Sequence, residues 1–450
     1  MKAKILSLLT VALMTGAAFA PGASATDGHF MHGVGAVNSS MGGVGIAMPR
    51  DVLGAFYTNP AGLMAFDASR AEFSFEMFKP TMSVSSGPPM GFAGSTEGTT
   101  SWTPIPALAW ATPVGEKVVV GLGGLGIGGF GVNYAASPVS NQGVPDNPIL
   151  APTTGGGFGQ VYSNFQLMKI APAVAFELSE SFWFGVAFNF DWASLSVMPA
   201  PMTHPDIGQG MTPQGPGQLP FYPDATAADA AFGVGFQAGL TWLISDAWSV
   251  GLAYTSPQWF QDFEWNSTNK APGSQGFGMP RTFTFAMDVP ATYGGGLAFS
   301  GETFNWGADL KYITYESTDG FKVDQVPPFN QDGSVAGFGW SNIMVLATGL
   351  EWWATDAFAL RGGYNYSDNP IGSDVSFFNI PAPAVVQHHI TGGMGWRFAE
   401  SIELQLAYYH VLENSVSGSM YGPTGAIPGS DVTNTMSENS FVLGFSFLGN

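Results

Sequence analysis

The sequence predicts an all-β fold, a 14-stranded antiparallel transmembrane β-barrel plugged by a small N-terminal hatch. Three observations lead there. The chain is 45% hydrophobic and only 10% charged, where an ordinary soluble domain carries about 25% charged residues to cover its surface. From Arg70 onward it repeats pairs of alternating apolar and polar runs joined by very short polar turns, and residues 26–68, ahead of the first such pair, lack the alternation.

The beginning of the chain sets the compartment. Met1-Lys2-Ala3-Lys4 puts two cations before the apolar run Ile5 to Ala20, and Ala23-Ser24-Ala25 follows with small residues. That is the pattern of a secretory signal peptide over residues 1–25, with a mature chain expected from about Thr26. Beyond it the best apolar run, Val118 to Val132, is fifteen residues long and glycine-rich, short of the ~20 that cross ~30 Å of hydrocarbon as a helix. A closed β-barrel is the other structure that faces lipid with every backbone group paired, so the expected location is the outer membrane.

Thirty-three Asp and Glu against thirteen Lys and Arg give a net charge of −20, and loss of Lys2 and Lys4 with the leader takes it to −22. Such a chain does not bind nucleic acid, whose phosphates demand cations. The acidic residues keep outer loops soluble beside outer-membrane lipid and lipopolysaccharide. Cysteine is absent, which removes disulfides, thiolate catalysis and cysteine metal sites.

Strands follow from turns. Tight turns are read at Pro113-Val114-Gly115-Glu116, Leu178-Ser179-Glu180, Ser245-Asp246-Ala247, Ser300-Gly301-Glu302, Thr355-Asp356 and Ala399-Glu400-Ser401. Longer Pro/Gly/Asn/Ser-rich loops are read near residues 79–100, 126–160, 199–227, 265–279, 317–337, 371–383 and 416–436. Six turns and seven loops make thirteen connections, hence fourteen strands over residues 69–450, with the short turns periplasmic and the long loops extracellular.

Alternation then assigns faces. Phe441, Leu443, Phe445 and Phe447 should meet lipid while Ser440, Val442, Gly444 and Ser446 face the lumen. In the run from Phe304, Asn305, Gly307, Asp309 and Lys311 point inward, as do Arg361, Gly363 and Asn365 in the run from Phe358. Trp183, Trp248, Trp352, Trp353 and Trp396 lie close to tight turns, where a periplasmic aromatic girdle belongs.

A barrel of this width leaks unless plugged, and residues 26–68 are the candidate plug. They hold the glycine-rich stretch Gly33 to Gly45, then Asp51 and Asn59-Pro60-Ala61-Gly62-Leu63. The glycines do not form a phosphate loop, since no strand precedes them and no Lys follows. This opening, together with Pro104-Ile105-Pro106-Ala107, Val118 to Gly123, Gly251 to Pro257 and Arg361 to Pro370, resembles the FadL/TodX family of outer-membrane transporters for long-chain fatty acids and aromatic hydrocarbons. The resemblance spans essentially the whole mature chain. It implies a hatch inside the barrel, a hydrophobic ligand path, and an exit through the wall where the third strand kinks.

On that resemblance Asn59, Pro60 and Ala61 form a rigid gate element, the Asn amide bonding backbone groups at the kink. Gly121, Gly123, Gly124, Gly126, Gly128, Gly129 and Gly131 fall at the end of the third strand and in the following loop, where a bulge or kink needs glycine. The chain departs from the family in ending Phe447-Leu448-Gly449-Asn450 rather than on an aromatic residue, and in holding only five Arg.

For catalysis the residues are lacking: Gly-x-Ser-x-Gly does not occur. Adjacent His388 and His389 point to opposite faces of a strand, and His29 and His32 are read with them as rim residues, so no metal site and no cofactor are expected. Arg361 and Lys311 are the candidate anchors for a ligand carboxylate, the other reading being wall pairs with Asp309 or Glu403. Phe377, Phe378 and Met420 are candidates for an outer landing groove. The expected function is passive uptake of a hydrophobic small molecule, fatty acid or hydrocarbon, by a monomer. A general or ion-selective porin and an outer-membrane lipid hydrolase are the rival readings.

Overall fold

The computed structural model describes residues 27–87, 93–139, 145–212, 215–422 and 425–449; the leader expected over residues 1–25 lies outside them. Fourteen long strands form the wall: β1 Arg70–Gly87, β2 Thr103–Pro113, β3 Val118–Tyr134, β4 Val161–Ser179, β5 Phe182–Met198, β6 Ala225–Leu243, β7 Trp248–Thr255, β8 Thr292–Ser300, β9 Phe304–Ile313, β10 Ile343–Thr355, β11 Phe358–Ser367, β12 His388–Ala399, β13 Ile402–Gly418 and β14 Asp431–Leu448. Each pairs antiparallel with the next, and β14 pairs with β1 from Arg70↔Leu448 to Gly87↔Asp431, closing the barrel.

The six tight turns join β2 to β3, β4 to β5, β6 to β7, β8 to β9, β10 to β11 and β12 to β13. Faces follow the alternation. Phe441, Leu443, Phe447, Phe304, Leu310 and Tyr312 are exposed, whereas Ser440, Val442, Asn305, Asp309, Lys311, Arg361 and Asn365 are buried. Trp248, Trp352 and Trp396 join the exposed outer set. Trp353 does not: its indole N–H donates to Glu351 (3.0 Å) and Arg397 lies over its ring.

Strand lengths correct the loop boundaries. β1 continues to Gly87, β3 to Tyr134 and β14 starts at Asp431, inside segments expected as loops. Their outer ends are polar or glycine-rich, yet they keep ladder partners above the ~10 residues a tilted strand needs to span the bilayer. Conversely, β7 ends at Thr255 and β8 begins at Thr292. The connection between them is far longer than residues 265–279 and carries its own hairpin, Phe263–Thr268 with Pro280–Phe285, whose alternation imitates barrel wall.

Ahead of β1, the chain forms α1 (Ala36–Ser40), α2 (Val52–Thr58) and a 3-10 turn over Pro60–Ala65. The Asp51 carboxylate caps α2 by accepting from the Gly54 N–H, the usual answer to orphan amides at a helix start. Val52, Leu53, Phe56 and Leu63 are fully buried.

Candidate functional site

Two seams of the wall can be followed residue by residue. β2 and β3 leave their tight turn paired from Pro113↔Val119 to Ala107↔Leu125, and there their ladder stops. β2 goes on beside β1 to Thr103↔Phe78, while β3 goes on beside β4 to Tyr134↔Val161 with a register shift between Gly126 and Gly128. Pro104 and Pro106 lie in the abandoned part of β2 and have no N–H to give. Every residue from Gly123 to Ile127 is buried, so β3 there no longer alternates between lipid and lumen; it has bent inward.

The freed edge of β3 has another partner. The Met31 N–H donates to the Ile127 carbonyl (2.9 Å), the Gly129 N–H donates to the His29 carbonyl (2.8 Å), and Phe30 bridges Gly128. A strip of the amino-terminal segment, Asp27 to Met31, thus takes the place that β2 vacates. A Cβ at Gly128 would overlap the His29 carbonyl, which is why this position must be bare. Gly121 and Gly123 have a different reason: they lie under the Phe56 ring, and a Cβ on Gly123 would come 2.8 Å from it. All the predicted kink glycines are within β3 rather than beyond its end.

The rest of the segment is held by inward-facing groups spread around the ring. Gly45 and Ile46 N–H donate to the Asp309 carboxylate of β9 (2.7 and 2.9 Å), and the Leu53 N–H donates to Glu72 of β1 (3.0 Å). Thr391 of β12 donates to the Ser40 carbonyl (2.8 Å) and Gln237 of β6 to the Tyr57 carbonyl (3.0 Å). Asp27, at the start of the strip, pairs with Lys311 (2.7 Å).

Three predicted site residues therefore have other partners than foreseen. The Asn59 amide donates to the carbonyls of Ile46 (2.7 Å) and Leu240 on β6 (3.2 Å), not to β3, and its carbonyl caps Ala61. Pro60 and Ala61 rest on bare Gly185 of β5. Arg361 binds Glu351 (2.8 Å) and Gln405 (2.7 Å), and Arg50 of the segment shares Glu351 (3.2 Å). Both candidate cations are engaged with carboxylates of the chain, though with Asp27 and Glu351 and not with Asp309 or Glu403.

A cavity of about 70 Å³ lies between strip, segment and wall, lined by Phe30, Ile46, Ile127, Lys169, Asn189 and Lys311 among others. Lys169 was not foreseen; its signal was a lone cation in the otherwise uncharged middle of β4. It donates to the Phe56 carbonyl and to Gln237, both at 3.2 Å. A larger hollow of about 640 Å³ opens among the long loops after β3, β5 and β7, with Phe158, Leu219, Phe221 and Phe277 in its walls. Phe377, Phe378 and Met420 do not line it. Phe377 and Phe378 pack on each other and, with Phe158 and Tyr421, form loop core, and Met420 is buried.

A sequence model of the family described as "Outer membrane protein transport protein (OMPP1/FadL/TodX)" matches residues 18–448. Among solved structures, the fold is similar to the toluene transporter TodX of Pseudomonas putida, at 18% identity and TM-score 0.66 over 93% of this chain and 99% of that one. A FadL homologue of Pseudomonas aeruginosa aligns at 14% identity and TM-score 0.67, over 93% and 99%. The toluene transporter TbuX of Ralstonia pickettii aligns at 17% and 0.60, over the same shares. No curated protein matches the chain in sequence.

Proposed function

The chain belongs to the OMPP1/FadL/TodX family of outer membrane transport proteins, and from that premise we propose that it is a passive channel for hydrophobic compounds. Residues 26–68 act as its hatch, and the solute leaves sideways between β2 and β3. The observation that carries this reading is the interrupted β2–β3 ladder, whose free edge is covered by a short strip of the hatch instead of by wall. A strip held by a few hydrogen bonds and one ion pair is displaced far more cheaply than a full ladder is unzipped.

Apolar side chains stand at the two ends of this path, Phe158, Leu219, Phe221 and Phe277 in the outer hollow and Phe30, Ile46 and Ile127 at the strip. Lys169 and Lys311 beside the strip, and Arg361 on β11, each bind groups of the chain, which supports an uncharged solute over a fatty-acid carboxylate. Asn59-Pro60-Ala61 serves on this reading as the hinge on which the hatch is seated against β5 and β6. The sequence holds no Gly-x-Ser-x-Gly, and we read the chain as a transporter and not a hydrolase.

Planar-bilayer recording alongside uptake by cells expressing the protein tests the proposal. We expect uptake of labelled hydrocarbon with little steady ion current. A large steady current would make it a porin, and absence of hydrophobic uptake would remove the channel reading.

A further inference from the structure

The lipid-facing side of the closed seam, over β13, β14 and β1, is built in three tiers. The lowest is apolar. Tyr408 and Trp102 both lie against Phe441, with ring centroids at 4.9 and 5.9 Å, and the exposed side chains of Leu443 and Phe75 continue the tier toward the periplasm.

The middle tier is a row of polar side chains in register across the three strands, Lys79↔Asn439 and Asn439↔His410. The Asn439 carbonyl oxygen accepts from the Tyr408 hydroxyl (2.8 Å) and lies 3.0 Å from His410 Nδ1. An amide oxygen only accepts, which puts a proton on Nδ1 and leaves Nε2 of that ring for a ligand. Eight cations of the described residues are ion-paired, and Lys79 is not among them. Its ammonium is 5.7 Å from the centroid of the Trp102 ring, so the stem lies along apolar wall with the charge at its end.

The upper tier carries hydroxyls. Thr81↔Ser437, Ser83↔Thr435 and Ser85↔Thr433 pair on the outward phase of β1 and β14, and Ser415 and Ser417 extend the tier across β13. Height sets what each tier meets. Lys79 is nine residues along β1 from Arg70, which at ~3.3 Å per residue and a tilt of ~40° is about 23 Å above it. The apolar band of such barrels is ~25 Å tall, so the row marks the outer edge of the hydrocarbon and the hydroxyls stand above it.

We propose that this face is the seat of a phosphorylated glycolipid of the outer leaflet. Its acyl chains lie on the aromatic tier, a phosphate meets Lys79, Asn439 and His410, and its sugars lie against the hydroxyls. A phospholipid without sugar would fill the two lower tiers and leave the third to water. The carboxylates of this face, Glu97 opposite Ser83, Glu413 on the bulge after Val411, and Asp431 opposite Gly87, all belong to the upper tier, where they repel a phosphate and confine it to the row. The lipid then spans the junction of first and last strands, where the barrel closes. The inference goes beyond the channel reading and does not depend on what the barrel carries.

Native mass spectrometry tests it on the full-length protein, exchanged in detergent until no lipid remains bound. Equal amounts of monophosphoryl lipid A, the same lipid stripped of its phosphate, and phosphatidylglycerol are then offered. Monophosphoryl lipid A should be retained above both others. Lys79→Glu should lower that retention about tenfold, through loss of one charge-assisted contact, and leave the stripped lipid unchanged. Tyr312→Ala, outward on β9, should alter nothing. Phosphatidylglycerol retained as well as lipid A overturns the glycolipid, and undiminished retention by Lys79→Glu overturns the site.

A second measurement needs no variant. Binding to the folded barrel raises its heat resistance, so monophosphoryl lipid A should raise the unfolding midpoint of the wild-type protein and phosphatidylglycerol should not. An equal rise with both lipids, or none with lipid A at saturation, also overturns the proposal.

Discussion

Where the two ends of the barrel meet, β1 and β14 pair without a break from Arg70↔Leu448 to Gly87↔Asp431; between β2 and β3, neighbours joined by a tight turn, pairing ends at Ala107↔Leu125. Loop closure favours the opposite, since strands joined by a short turn are the easiest to pair. The difference comes from side chains. β1 and β14 present alternating residues with full donor sets to each other, apart from Pro80 on β1. β2 brings Pro104 and Pro106 to its outer half, and β3 brings a run of glycines that bends inward and is bare enough for the amino-terminal strip to lie against it. The weak seam is thus written locally, by residues that cannot pair.

The comparison breaks most easily at Gly128. Gly128→Val puts a side chain where the His29 carbonyl sits, at a cost on the order of 1–3 kcal/mol for overpacking that falls entirely on the seated strip. We expect steady ion current to appear in planar bilayers while the barrel still assembles. Of comparable size is Lys311→Ala, which leaves the fully buried Asp27 without its cation. Loss of a buried partner costs about 3 kcal/mol, and the strip should again loosen, read as raised current and lower heat resistance in detergent. The double variant Arg361→Ala with Lys311→Ala should lower heat resistance further without weakening oleate affinity.

Asn59→Ala removes the bonds to Ile46 and Leu240 and should cost about 1–2 kcal/mol in the seating of the amino-terminal segment. It should reduce hydrocarbon uptake modestly at normal amounts in the outer membrane. The smallest effect belongs to the closed seam. Ser440→Ala loses one hydrogen bond to Glu76 (2.7 Å), worth about 1 kcal/mol, and should lower heat resistance slightly with uptake and current unchanged.

The wall was legible because its signals are short-range. A turn such as Ser300-Gly301-Glu302 between two alternating runs fixes a hairpin, and the phase of Phe304 to Ile313 fixes which residues face the lumen. The tops of β1 and β14 were not legible, because above the lipid the outward face turns polar, with Ser83, Ser85, Thr433 and Thr435, while only the inward Met82, Val84, Val432 and Met436 stay apolar, and so short and polar a run reads as loop. In the site, the glycines of β3 and the prolines of β2 were visible, and so was the inward direction of Lys311 and Arg361. Their partners were not. Asp27 and Lys311 are 284 residues apart, and neither composition nor period carries a pairing of that range. The strip was missed for a similar reason: Asp27 to Met31 has no strand-like alternation of its own and becomes a strand only against the edge that β2 leaves.

The most direct test of a sideways exit at the weak seam uses the absence of cysteine from the sequence. Single variants Ile105→Cys, at the mouth where β2 parts from β3, and Phe441→Cys, outward-facing on β14 at the closed seam, are labelled with the same bulky thiol reagent. Hydrocarbon uptake is then measured before labelling, after it, and after release of the label with dithiothreitol. With the exit at this seam, the adduct at Ile105→Cys should stop uptake reversibly and the adduct at Phe441→Cys should leave it unchanged. Undiminished uptake past the Ile105→Cys adduct, or equal loss at both positions, would contradict it.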